Sequence, residues 1–600
     1  MAKSKSLVTV DFETEAIEDA PYYPPTPVSV AIKYPGRKSV FYAWGHPTEN
    51  NCTRQLAYET LFPLWADPGI ELLFQNAKFD LEVAYHHFQL PYPHWQRVHD
   101  TMFLLFLNDP RGQLSLKPAS EEILGILPEE QDELHDWIIE NIPEARRSPS
   151  RAGAYIAKAP GKLVGKYAKG DTDRTYALYR KLMPEIKNAG MLEAYDRERR
   201  ALPIIMKMEK RGIRMDREAI RNDIPKYQRS LRALNKRIQK KVGNINLNSS
   251  QQLSEALLSK GLVHSLPRTP KGNYSVKIKE LGPHITDVKL LEDLRVHSAI
   301  EKMLTAFLIP WTEKMDSWNV DRLYPSFNQV RGERYGTRTG RLSSSRPNFQ
   351  QLNREPSDIR IPFVRKYVLP EEGHVLLGRD YSQQELRILA HYEAGSLQQA
   401  YIENPETDLH SFAQDMIEAK TGVLYPRPHI KNCGFGIIYG VGGDKLGHMV
   451  GADGKEGRKL KADYFEAFPS VQDLMKSLSG IWEEGLYIRT RGGRVYYAEE
   501  VRWKNGRLQS ANYKALNTLI QGSAADHTKE ATILLHDRFQ DEMPMLLTVH
   551  DEFLFSAPEA HAEEYMEEFK HVMNFDYFDV PMRSDGKIGN TWGTMEKINE

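Results

Sequence analysis

The sequence predicts a multi-domain protein of mixed class, an α/β unit followed by α+β domains, and three observations carry that expectation. Its 600 residues exceed what one core usually serves, since chains beyond roughly 250–300 residues split into separate domains. The first stretch, to about residue 190, alternates short β-rich runs with helical ones. The remainder sets long helical stretches between a few apolar, strand-like runs.

In order, SLVTVDF from Ser6, PVSVAIKY from Pro27 and KSVFYAWG from Lys38 read as strands, each β-branched or aromatic and set apart by Pro and Gly. TRQLAYETLFPLWAD from Thr53 reads as a helix, IELLFQ from Ile70 as a strand and AKFDLEVAYHHF from Ala77 as a helix. The Pro/Ser/Arg-rich IPEARRSPSRAGAYIAKAPGK from Ile142 is expected to be the longest loop of this unit. From about Thr172 to Val242 the pattern is mostly helical, with Lys226, Arg229, Lys236, Arg237, Lys240 and Lys241 recurring along it. The turn-rich GNINLNSS from Gly243 precedes more helix, and SFNQVRGERYGTRTGRLSSSRPN from Ser326 reads as an Arg/Ser/Gly loop. Further on, HVLLGRDY from His374 is a strand ending in a carboxylate, and MLLTVHDEFLF from Met545 is two strands meeting at polar residues.

With 40% hydrophobic and 27% charged residues, the chain is composed like a globular protein. No apolar run is long enough to span a bilayer. Two cysteines, Cys52 and Cys433, cannot build a disulfide framework or a multi-thiolate zinc site, so any metal is expected on carboxylates. Asp11, Glu13 and Glu15 interrupt the N-terminus before a signal-peptide core develops, which predicts a cytoplasmic protein. Net charge is −1, but it is segregated: residues 201–250 carry +9 and residues 551–600 carry −8. The first stretch suits phosphates; the second repels them.

Four patterns carry candidate chemistry. Asp380 ends a strand and Glu385 begins the helix after it; His550, Asp551 and Glu552 sit between two apolar runs, where they also fit a plain turn. In RPHIKNCGFGIIYG, Arg427, Lys431, Phe435 and Tyr439 recur every four residues and so share one helix face. Two cations followed by two rings suit a triphosphate and a base, although an amphipathic helix with its rings in the core has the same period. Asp11 and Glu13 alternate on one side of a strand, Asn76-Ala-Lys-Phe-Asp80 begins a helix, and Tyr167-Ala-Lys-Gly-Asp171 is read as beginning another.

The finger-helix pattern resembles the Arg-x3-Lys-x3-(Phe/Tyr)-x3-Tyr-Gly motif of family A DNA polymerases, the bacterial DNA polymerase I type, with Gly440 as its fifth fixed position. Asp380-Tyr-Ser-Gln-Gln-Glu-Leu-Arg387 and His550-Asp551-Glu552 resemble that family's two palm motifs. Thr339-Gly-Arg-Leu-Ser-Ser344 resembles its primer-template loop, and Asn517 to Gln521-Gly522 its minor-groove segment. Departures occur at Gln351-Leu-Asn353 and at Tyr513, where the family usually has Asn-Ile-Pro and a basic residue. The N-terminal set resembles the three motifs of DnaQ-like 3′-5′ exonucleases.

The resemblance implies an RNase H-like exonuclease domain over residues 1–190. A right-hand polymerase follows, with a helical thumb over 191–320, palm over 321–400, fingers over 401–480 and palm again over 481–600. It implies template-directed synthesis from dNTPs with proofreading, by two Mg²⁺ ions at the polymerase site and two divalent ions at the exonuclease site. By carry-over, Asp380, Asp551 and the Tyr381 carbonyl hold the polymerase metals, with Glu552 an accessory acid. His410, Arg427, Lys431, Phe435, Tyr439 and Gln383 contact the nucleotide, and Glu385 excludes a ribose 2′-hydroxyl. Arg341, Asn517, Gln521 and His550 contact DNA. Asp11, Glu13, Asp80 and Asp171 hold the exonuclease metals, and Tyr167 orients the attacking water.

The expected partners are primer-template DNA and dNTPs, for a monomer in the cytoplasm of a bacterial or phage-infected cell, with replisome proteins unknown and no membrane. The stretch before the polymerase part accommodates one exonuclease domain and no separate 5′ nuclease, as expected for a phage-type enzyme. A catalytically silent DNA-binding scaffold is disfavoured by the intact acids, and a single-subunit RNA polymerase needs neither the N-terminal set nor Glu385.

Overall fold

The computed structural model describes residues 6–269, 271–330, 337–499, 501–504 and 507–598. The part of the expected Arg/Ser/Gly loop at 331–336 lies outside the described residues.

The N-terminal unit is a five-stranded sheet of order β3-β2-β1-β4-β5, with β1 at Ser6–Thr14, β2 at Pro27–Lys33, β3 at Val40–Ala43, β4 at Ile70–Phe74 and β5 at Val98–Asp100. β1 is antiparallel to β2 and parallel to β4, which is parallel to β5. Alternation along β1 sends Val8, Val10 and Phe12 into a core with Val30, Ile32, Leu72 and Phe74. Asp11 and Glu13 therefore point the other way, where the Gly161–Asn188 helix crosses.

Two expectations for this unit change. The stretch read as its longest loop forms helix at Pro143–Arg146 and 3₁₀ helix at Pro149–Lys158. Together with the Glu129–Asn141 helix it closes a small core of Leu134, Ile138, Ile142, Ala145, Ala152 and Ile156, whose burial overrides the Pro/Ser composition. Tyr167 and Asp171 do not begin a helix either. It starts at Gly161, directly after Pro160, so the two residues lie in its second and third turns.

The C-terminal sheet has a different topology. Strand His374–Tyr381 lies between Glu552–Pro558 and Ser584–Gly589, antiparallel to both, with Met545–Val549 and Glu596–Lys597 at the edges. Seven helices from Gln384 to Glu483 intervene in sequence between its first and second strands, followed by the Ala515–Phe539 helix. A helical arm runs from Arg217–Val242 to Ile309–Trp318, and the segment between these helices carries its own small core around Leu257, Val263 and Leu294.

The Leu192–Arg211 helix joins the halves, and its successive residues face different ways. Tyr195 packs in the N-terminal core and Arg199 donates to the Val98 and Gln96 carbonyls. On the other side, Glu198 accepts from Arg494 at 2.8 Å and Lys529 at 2.6 Å, while Arg494 and Arg197 pair with Asp526 at 2.9 and 3.2 Å. These five side chains are at most 2% exposed, and each charge has an opposite partner, the condition under which burying charge is tolerable.

His527 is fully buried on the Ala515–Phe539 helix, stacked on Phe575 at 4.9 Å and accepting from the Gln384 amide at 3.1 Å. Burial pulls its imidazole down to about 3. The unfolded chain therefore takes a proton near pH 6.5 that the folded chain refuses. Its contribution to stability is intact above that pH and drains away towards pH 3, at up to about 1.4 kcal/mol per pH unit. Urea unfolding of His527→Phe should show a shallower acid limb between pH 6.5 and 4 than the parent; equal slopes would rule this out.

Candidate active sites

At the N-terminal site, single carboxylate oxygens of Asp11, Glu13 and Asp171 lie within 4.8 Å of one another, the one such grouping among the described residues. Asp80 sits beside it, not in it. Its Oδ1 accepts from the Phe12 backbone N–H at 3.0 Å, a bond that ties the Ala77–Phe88 helix to β1. Burial, then the negative neighbour Asp171, pushes Asp11 up to about 8, with Lys117 acting in the opposite direction. Glu13, Asp80 and Asp171 are raised too, burial being the largest cause for each. An all-oxygen donor set that resists ionising without a cation fits a hard divalent ion. Burial and the same carboxylates raise the Tyr167 phenol, so it stays a donor.

Two further charged residues around this site were not among those read from the sequence. Lys117 Nζ lies 2.5 and 2.6 Å from the two Asp171 oxygens and 3.6 Å from the Tyr167 ring centroid. Asp100 accepts from the N–H groups of Asn76, Ala77 and Met102, anchoring the start of the Asp80 helix. Its placement just before Thr101-Met102 was a legible cap signal for the helix that follows, but not for the one at Asn76.

At the C-terminal site, Asp380 is the penultimate residue of its strand, paired directly opposite Glu552, and the Tyr381 N–H donates to the Asp551 carbonyl at 3.3 Å. His550 and Asp551 form the two-residue turn between Val549 and Glu552. His550 has φ of 60° at a turn position that ordinarily favours glycine, the kind of backbone strain that accompanies function. Burial, followed by Asp551 and Glu552, pushes Asp380 up to about 7, and burial raises Asp551. Glu552 is engaged elsewhere: it accepts from Arg365 at 3.4 Å and from the Trp592 indole at 3.3 Å, and Arg365 stacks over Trp592 at 4.0 Å. Neither partner was found by sequence reasoning.

The finger helix spans Arg427–Ile438, with Tyr439 as its C-cap. Ile430, Cys433, Ile437 and Ile438 form its buried face. Arg427, Lys431 and Tyr439 are exposed and Phe435 half-buried, so the rings are not the core face. Gly440 follows with φ of 65°, and a Cβ there would lie 2.8 Å from the Tyr513 ring, so the tight turn and the departure at Tyr513 are packed against each other. His410 joins this face, its ring 5.8 Å from Phe435, and burial pulls it down to about 4. It is therefore a neutral donor or acceptor beside Arg427, which pairs with Asp408 at 2.5 Å.

Glu385 meets Arg341 at 2.5 Å and accepts from the Tyr439 hydroxyl at 3.4 Å; Gln383 accepts from Tyr401 at 3.1 Å. Arg341, which the resemblance implies contacts DNA, is thus held by Glu385 here. Gln521 lies beside the Tyr439 hydroxyl, His550 is exposed, and the buried Asn517 amide nitrogen has no hydrogen-bond partner among the described residues, a donor still to be satisfied.

Much of the local +9 charge is answered by acids from elsewhere in the chain: Arg217 and Arg221 pair with Asp316, Arg237 with Asp293 and Lys241 with Asp287. Arg229, Arg232, Lys236 and Lys240 are exposed along one face of the Arg217–Val242 helix and make no ion pair among the described residues.

Residues 217–594 match the model of DNA polymerase family A, and residues 1–187 that of the 3′-5′ exonuclease. The chain belongs to the family A DNA polymerases. This family A chain is 30% identical to DNA polymerase I of Rhizobium leguminosarum over 526 residues, 82% of this chain and 48% of that protein. It is 28% identical to DNA polymerase I of Borreliella burgdorferi over 545 residues, 88% and 56% of the two chains. With DNA polymerase DpoZ of Vibrio phage phiVC8 it shares 29% identity over 477 residues, 74% and 73%. The chain spans about half the length of the DNA polymerase I relatives it matches. The POL domain of Pol1 from M. smegmatis, solved in complex with DNA primer-template and dNTP, has the same fold: TM-score 0.79 over 99% of this chain and 97% of that one, at 22% identity. The family A fold here is thus an exonuclease domain followed by a right-hand polymerase.

Proposed function

We propose that the chain is a DNA-directed DNA polymerase that extends a primer from dNTPs and edits mismatched ends with its N-terminal 3′-5′ exonuclease, on DNA in the cytoplasm of a bacterial or phage-infected cell. The observation that carries this reading is the meeting of Asp380 and Asp551, from a strand end and a distant turn, in a family whose finger helix here exposes two cations and a ring. Asp380, Asp551 and the Tyr381 carbonyl would hold Mg²⁺ at the polymerase site, and Asp11, Glu13, Asp80 and Asp171 divalent ions at the other. Bound there, such ions supply the positive charge that stabilises attacking and leaving oxygens in phosphoryl transfer.

The protein's own groups do the rest. Arg427, Lys431 and neutral His410 bind the triphosphate, Phe435 packs on its sugar and Tyr439 on the nascent pair. Gln383, held by Tyr401 at the start of the Glu385 helix, contacts the nucleotide as well, and Glu552 is kept in place by Arg365 and Trp592. Asn517, Gln521 and His550 contact the primer-template, with Arg341 released from Glu385 to do so. The unpaired stripe from Arg229 to Lys240 lies on duplex phosphates, so affinity falls steeply with salt. In the exonuclease, Tyr167 holds the attacking water. The domain limits 1–190, 191–320, 321–400, 401–480 and 481–600 belong to the same proposal.

Glu385 fills the space beside the sugar; Arg341 and Tyr439 hold it in this structure, and Tyr439 remains its partner once Arg341 turns to DNA. Glu385→Ala is expected to lower discrimination against ribonucleotides roughly 10- to 200-fold, the size of a lost packing contact. Competitive single-nucleotide incorporation measures it, and unchanged discrimination would remove Glu385 from this role. The whole reading is tested by a 5′-labelled primer-template with Mg²⁺, with and without dNTPs and with matched and mismatched ends. Extension with dNTPs and shortening without them support it; binding with neither activity would favour a scaffold.

A further inference from the structure

Lys117 is the one cation in contact with the acid cluster among the described residues, and nothing in the exonuclease motifs assigns it. It comes from the Leu116–Leu124 helix, 54 residues before Asp171, and is 8% exposed. Its ammonium addresses both oxygens of Asp171 and lies over the face of Tyr167, so it touches two of the site's five proposed members at once. A lysine buried merely to satisfy one carboxylate would need no second contact of this kind. Its charge also opposes the repulsion around Asp11 and Glu13.

Resting on the exonuclease reading, we propose that Lys117 is a positioning residue with a double effect. It keeps Asp171 and Tyr167 in their working places before any divalent ion enters, and its positive charge weakens the hold of the site on that ion. Like charges a few ångströms apart in a poorly solvated site repel strongly, so an ion entering beside Asp171 does so against Lys117. The negative phosphodiester of a 3′ end offsets that repulsion, which links tight metal binding to the presence of substrate.

The test uses the full chain carrying Asp380→Asn and Asp551→Asn, so that Mn²⁺ binding, followed by the electron paramagnetic resonance signal of free Mn²⁺, reports the N-terminal site. Without DNA, Lys117→Met and Lys117→Gln should each bind Mn²⁺ on the order of tenfold more tightly than the parent, and Lys117→Arg should stay close to it. At saturating Mn²⁺, single-turnover shortening of a single-stranded 3′ end should be at least about tenfold slower in Met and Gln, with partial recovery in Arg. A purely structural lysine would lower thermal stability and could not tighten metal binding. Unchanged or weaker Mn²⁺ binding in both neutral variants, or cleavage rates within twofold of the parent, would overturn the proposal. A parent that neither binds Mn²⁺ at this site nor shortens 3′ ends would instead sink the exonuclease reading, and this inference with it.

Discussion

Asp551→Asn is expected to lower primer extension on the order of 10³-fold or more, the scale on which losing one group that stabilises a transferring phosphoryl costs rate. The change keeps the side chain's size and removes its charge. Asp551 sits in a two-residue turn whose carbonyl is fixed by the Tyr381 N–H, so the backbone around Asp380 should not move. Primer-template affinity and its salt dependence should stay within a few-fold, because the Arg229 to Lys240 stripe is untouched. Single-turnover extension and a binding titration on the same preparation separate the two quantities. Extension within tenfold of the parent would mean that Asp551 does not hold the reacting centre.

Asp11→Ala combined with Glu13→Ala is expected to abolish 3′ shortening while leaving extension from a matched primer at the parental rate. Both residues project from the same side of β1, and with them goes most of the three-carboxylate grouping. The polymerase acids stand on another sheet, so their geometry is independent of this change. The variant should be at least as heat-stable as the metal-free parent, because burial and mutual repulsion oppose ionisation of these two acids. Persisting degradation of a mismatched end in the absence of dNTPs would reassign the ligands.

The elements legible in the sequence were those that a local period announces. The alternation of β1 put Asp11 and Glu13 on one side, and the four-residue period of Arg427, Lys431, Phe435 and Tyr439 put them on one helix face. The apolar runs around His550 and Asp551 formed the hairpin they suggested. Period alone did not decide whether Phe435 and Tyr439 faced the core. Packing decided it, by burying Ile430, Cys433 and Ile437 instead. The segment from Ile142 to Lys158 misled because Pro, Ser and Arg are as numerous as its apolar residues and most of the latter are small alanines. Those few apolar side chains nevertheless have a partner surface on the helix that carries Tyr167.

By itself the sequence determined the order of the two domains and the strand and helix faces on which the candidate acids and finger-helix side chains lie, because strand and helix periods and family motifs are local in the chain. The tertiary structure alone decided which charge answers which. Lys117 reaches Asp171, Glu198 reaches Arg494 and Lys529 some 300 residues away, and Arg365 with Trp592 restrains Glu552. Coulomb and hydrogen-bond forces act through space over a few ångströms, and a buried charge must find its partner wherever the fold brings one close.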